Sequence, residues 1–67
     1  MIQNYIDKID NHNWNDSKLK SALTLAVYIN CGLIEFAKSL GSELTIDIEN
    51  IINNLIAVDN KQHHKEL

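Results

Sequence analysis

Apolar residues recur at Ile2, Tyr5, Ile6 and Ile9, the i, i+3, i+4, i+7 spacing of one helix face, and predict a short helix over residues 2 to 10. The run Asp10 to Ser17, DNHNWNDS, ends that pattern with Asn, Asp and Ser, whose side chains compete for backbone hydrogen bonds and favour turns and caps. Trp14 stands alone as a large apolar residue there, and its expected role is to fold back as a lid on the core. A third segment places Ile48, Ile51, Ile52, Leu55 and Ile56 on one face and Asp47, Asn50, Asn53 and Asn54 on the other. It predicts an amphipathic helix capped by Thr45, with Asp47 and Glu49 at the positive end of its dipole, ending near Val58 or Asp59. The domain is then residues 1–59, with 60–67 as a polar, disordered tail.

Between these lies ALTLAVYINCGLIEFA, residues 22–37, interrupted only by Thr24, Asn30, Gly32 and Glu35. A membrane span needs about 20 apolar residues, and this run is shorter, contains Asn30 and Glu35, and is flanked by Lys18, Lys20 and Lys38. A hairpin turning at Asn30-Cys31-Gly32 suits Val27, Tyr28 and Ile29 but not the alanines around them. The punctuation falls instead at the ends, where Asp16 or Ser17 suits a helix start and Gly41 a helix stop, so the stretch reads as one long central helix.

On that helix Lys18, Lys20, Thr24, Tyr28, Glu35, Lys38 and Ser39 gather on a polar strip, leaving an apolar arc of roughly 200°, about twice what a surface helix buries. Two short flanking helices cover only part of it and need a place to bury their own apolar faces, which a second copy of the chain supplies. Leu19, Leu23, Ala26, Asn30, Leu33, Ala37 and Leu40 follow the 4-3 spacing of a helix-packing seam, and a lone Asn in such a seam fixes register and partner number. These residues are therefore the expected dimer interface, with Asn30 facing either its copy or the monomer interior. The fold expected is all-α, three helices completing their core as a homodimeric bundle.

Size strengthens that expectation. A chain of 67 residues buries only about 60% of the surface it exposes when unfolded, and small domains need disulfides, metals or self-association to compensate. Cys31 is the single cysteine, so no intrachain disulfide exists. One Cys with His12, His63 and His64 has no zinc-ligand spacing, and no cofactor is expected.

The net charge is −3 and all six basic residues are Lys. Without Arg the chain lacks the planar fork of donors that reads phosphates and base edges. Abundant Asn, Ile and Lys suit an AT-rich bacterial or phage genome. No basic-then-apolar leader stands at the start, and an unpaired thiol fits a reducing compartment, so a cytoplasmic location off the membrane is expected.

Residues 35–53, EFAKSLGSELTIDIENIIN, resemble the first helix and turn of a helix-turn-helix DNA-binding motif, with Ala37 and Gly41 four apart and Phe36 and Leu40 apolar. The resemblance implies a DNA-binding regulator. It departs from the pattern at Asp47, where a buried Val or Ile belongs, and its recognition helix begins acidic, whereas phosphate contacts from cations dominate DNA affinity. Nucleic acid is accordingly the second choice.

Catalysis needs converging groups, and none are apparent: a nucleophilic Cys31 needs a basic neighbour to activate it, and no His lies on the same helix. By elimination the expected function is not enzymatic. The reading is a small acidic interaction protein that binds and modulates another protein, as a regulator, inhibitor, immunity protein or assembly chaperone does. Its candidate partner surface comprises Tyr28, Lys20 and Lys38 on the central helix and Asp47 and Glu49 on the third.

Overall fold

The computed structural model describes residues 2–65, with side chains described through residue 61. Three helices follow one another: α1 (Ile2–Asn11), α2 (Ser17–Ser39) and α3 (Ile48–Lys65), with no strand among the described residues. Every pair of helices is in contact, and the molecule measures 50 × 17 × 16 Å. The long dimension reflects α2, about 35 Å at 1.5 Å per residue, and α3 running beyond the loop that starts α2.

The termini of α2 show why this stretch is helix and not hairpin. Asp16 is its N-cap, in extended backbone, and its Oδ1 accepts from the backbone N–H groups of Lys18 at 3.0 Å and Leu19 at 3.2 Å, satisfying two of the first-turn donors. At the other end Gly41 takes φ +77°, its N–H donates to the Lys38 carbonyl at 3.0 Å, and Ser42 N–H donates to the Ala37 carbonyl at 2.9 Å. This paired arrangement is the Schellman motif, which favours glycine because a Cβ is strained in the left-handed region.

α3 differs from the sequence expectation at both ends. Its cap is Asp47 rather than Thr45: Asp47 Oδ1 accepts from Asn50 N–H at 3.0 Å, and the helix proper begins at Ile48. It also continues past Asp59 to Lys65, so residues 60–65 of the expected disordered tail have helical backbone. Residues 66 and 67, and the side chains of His63 and His64, lie outside the described residues.

The fully buried core is small: Ile9 from α1, Leu23 and Val27 from α2, and Ile48 and Ile52 from α3. Ile2, Tyr5, Ile6, Trp14, Cys31, Ile34, Ile51, Leu55 and Ile56 pack around it, half-buried. Trp14 is a lid, as expected, and its indole Nε1–H donates to the Ile9 carbonyl at 2.7 Å, so the one polar atom of the ring is satisfied. α1 lies against only part of α2 because it has ten residues against twenty-three. That length mismatch shapes everything left exposed.

Candidate protein-interaction surface

α2 carries two apolar faces. One, with Leu23, Val27 and Ile34, meets α1 and α3. The other lies about 150° around the helix at 100° per residue and consists of Leu25, Ile29, Leu33, Phe36 and Leu40, exposed by 64%, 61%, 48%, 63% and 67% respectively. Their 4-4-3-4 spacing keeps them in one stripe, with the small residues Ala22, Ala26 and Gly32 beside them. A single exposed Leu means nothing, but five aligned large side chains form a contiguous patch of the kind that marks an interaction site.

The expected dimer seam is divided by this geometry. Leu23 belongs to the monomer core and Leu19 is half-buried, whereas Leu33 and Leu40 lie in the exposed stripe; Ala26 and Ala37 sit between the two. Asn30 also lies at the boundary, half-buried, and its Nδ2 donates to the Ala26 carbonyl of its own helix at 2.7 Å. Its Nδ2 is therefore engaged within its own helix. Leu25, Ile29 and Phe36 were not in the expected seam. Their bulk was the available signal, since the seam chosen by spacing alone carries small Ala26 and Ala37 at the corresponding turns.

The polar strip is likewise redistributed. Thr24 is half-buried, with Oγ1 donating to the Lys20 carbonyl at 2.9 Å, and Lys20 Nζ lies 3.6 Å from Asp10 Oδ1 across the α1–α2 contact. Lys20 is thus engaged within the monomer. So are the two acidic candidates: Asp47 caps α3, and Glu49 pairs with Lys8 Nζ at 3.3 Å. These exposed pairs contribute little to stability, but they leave fewer free charges for a partner.

Tyr28 and Lys38 remain open, and both border a groove left where α2 outruns α1. Its first part, about 460 Å³, is lined by Ile2, Tyr5, Tyr28, Cys31, Gly32, Ile34, Glu35 and Ile48. A second part, about 550 Å³, shares Tyr5 and Ile34 and is bounded by Lys38 and the Ser42–Ile46 connection. The floor is apolar and the rim carries Glu35, Lys38 and Glu43, a composition suited to a peptide segment with an apolar side. Cys31 is a half-buried wall of this groove, with no imidazole on its helix.

A third feature was not read from the sequence at all. Asp59, which has no solvent exposure, accepts from the backbone N–H groups of Asn15 and Asp16 at 2.9 Å each. His12 Nε2 lies 2.9 Å from its Oδ2 and Asn15 Nδ2 3.4 Å away. The His12 ring in turn stands edge-on to Trp14, centroids 4.6 Å apart at 89°. Burial alone pushes the Asp59 carboxyl up, but the Asn15 N–H, the His12 ring and the Asp16 N–H outweigh it and hold the group below the ordinary carboxylate range. The carboxylate sits just before the first turn of α2, where the helix dipole also favours negative charge. This knot joins α1, the first loop, α2 and α3. Its groups are mutually satisfied, and they tie the three helices together.

No group of three His, Cys, Asp or Glu converges among the described residues. Residues 40–47 separate α2 from α3, a longer connection than the three- to four-residue turn of a helix-turn-helix. By length and composition alone α2 is long and apolar enough to cross a membrane. The chain matches no family model, no curated protein and no solved structure.

Proposed function

We propose that this protein acts by binding another protein and modulating it, as a small regulator, inhibitor, immunity protein or assembly chaperone, and not by catalysis. The observation that carries the reading is that α2 presents more apolar surface than its own chain covers: an outer stripe on one side and, past the end of α1, a groove on the other. The stripe suits self-association into a homodimeric bundle, which also gives a small domain the burial it lacks alone. The groove then remains for the heterologous partner, with Tyr28 as its aromatic anchor and Lys38 and Glu35 setting charge preference. A cytoplasmic location off the membrane fits this reading. Lys18, Glu35 and Lys38 interrupt the surface of α2, and charges within a lone span are costly.

Capture from source cells on the immobilised full chain, followed by titration with the purified candidate, tests the proposal. A saturable, stoichiometric complex is expected, weakened roughly tenfold or more by Tyr28→Ala and altered in salt dependence by Lys38→Glu. Absence of any complex that survives purification refutes it.

A further inference from the structure

The connection between α2 and α3 presents backbone that the chain itself does not pair. Residues 42–47, SELTID, run without a turn or bend, and residues 42–45 are exposed. Ser42 N–H closes the Schellman motif and the Ile46 carbonyl accepts from Ile48 N–H, but the N–H groups of residues 43–47 and the carbonyls of residues 42–45 have no backbone partner among the described residues. We propose that this stretch pairs through its backbone with an extended segment of the partner polypeptide, which lies along the groove as an added β-strand. This rests on the interaction reading above and specifies what the partner presents to the groove.

Successive side chains of an extended chain alternate between its two sides. Leu44 and Ile46 therefore share one side; Ile46 is half-buried against the core, while Leu44 remains 42% exposed. Beside them the groove floor offers Tyr5 and Ile34. A strand laid along residues 43–46, about 13 Å at roughly 3.3 Å per residue, sets every second side chain on that floor and against Leu44. Tyr5 and Ile34 also line the neighbouring part of the groove, so a longer segment continues toward Tyr28. A helical segment satisfies only its own backbone. Seated here it removes water from the open donors and acceptors of residues 42–47 and supplies nothing in return, a cost for each group left unmade.

Charge narrows the occupant further. Glu35, Lys38 and Glu43 at the rim form no ion pair among the described residues. A complementary segment brings an acidic residue to Lys38 and a basic one to Glu43. A second copy of residues 42–47 adds Glu43 and Asp47 and no cation, so self-pairing sets carboxylates against carboxylates. A different polypeptide fits, with apolar residues at alternate positions and charges of both signs between them.

The immobilised full chain is panned against random linear peptides about ten residues long, enough to span the segment, and enriched peptides are synthesised. They should show apolar residues at every second position. Amides of residues 43–47, open to hydrogen exchange in the free chain, should become protected when the peptide binds. N-methylation along the peptide, which leaves the protein untouched, should weaken binding roughly tenfold at alternate positions and little at those between. Lys38→Glu, judged folded by its helical circular dichroism, should exchange the acidic preference for a basic one.

A library that yields no saturable binder overturns the proposal. So do peptides that bind as helices, or that leave the amides of residues 43–47 exchanging freely. Protection that rises with chain concentration in the absence of peptide makes a second copy the occupant and also overturns it. The two readings fail separately: a purified partner that binds saturably without protecting residues 43–47 removes only the strand pairing, and peptides that pair there while no partner complex survives purification remove only the function.

Discussion

Ile52 and Ile29 are the same residue type in helical interiors, yet they should respond oppositely to truncation. Ile52 is fully buried and Ile29 is 61% exposed. Ile52→Ala removes three carbon groups from a five-residue core, a transfer loss of roughly 2.4 kcal/mol at about 0.8 kcal/mol per group. The incompletely collapsed cavity raises this to about 3–4 kcal/mol, inside the usual range for such truncations. A domain of this length has a total stability of roughly 3–10 kcal/mol, so the variant should be near its unfolding threshold at 25 °C. Ile29→Ala removes no core contact and gains helix propensity, so the monomer should change by no more than about 0.5 kcal/mol.

Urea unfolding read by Trp14 fluorescence and by far-ultraviolet circular dichroism separates the two. At about 1 µM, where mass action favours the monomer, only Ile52→Ala should lower the midpoint. At about 100 µM the wild type should gain stability by mass action while Ile29→Ala gains less. A loss under about 1 kcal/mol for Ile52→Ala, or equal losses for both variants at low concentration, refutes the division of α2 and α3 into core and binding faces used throughout.

Three further outcomes follow from particular residues. The Asp59 carboxyl is held below its unfolded value of 3.8, so its contribution is complete above that pH and is lost as pH falls through the depressed folded value. Urea midpoints between pH 2 and 7 should drop in that acidic window for wild type, whereas Asp59→Asn should start lower at pH 7 and show a shallower acid loss. Gly41→Ala meets no neighbouring atom but must adopt φ +77°, so it should cost roughly 1–2 kcal/mol in thermal unfolding; a neutral result contradicts the Schellman stop. Gly32→Ala, with open space at its Cβ, should raise the stability of the isolated monomer in thermal unfolding by about 0.5–1 kcal/mol.

Local rules alone settled much of this protein. The 3.6-residue periodicity of α1 and α3, the capping carboxylate of Asp16 and the left-handed Gly41 are short-range signals, each requiring only a few consecutive residues to express their physics, and the three-helix, all-α architecture follows from them. Trp14 as a lid follows too, since a large indole in a polar loop must bury its ring.

The tertiary structure decided what local rules cannot rank. α2 is apolar on opposite sides, so periodicity alone could not say which side its neighbours would cover. The short α1 and the approach of α3 chose Leu23 and Val27 and left Leu25, Ile29 and Phe36 outside. Asp59 shows the same limit more sharply. Its backbone donors at Asn15 and Asp16 lie more than forty residues earlier in the chain, and no local pattern marks an acidic residue in a polar segment as the buried acceptor at another helix's start. Helices are decided by neighbours in sequence, but the allocation of apolar faces and buried charge is decided by which segments meet in space.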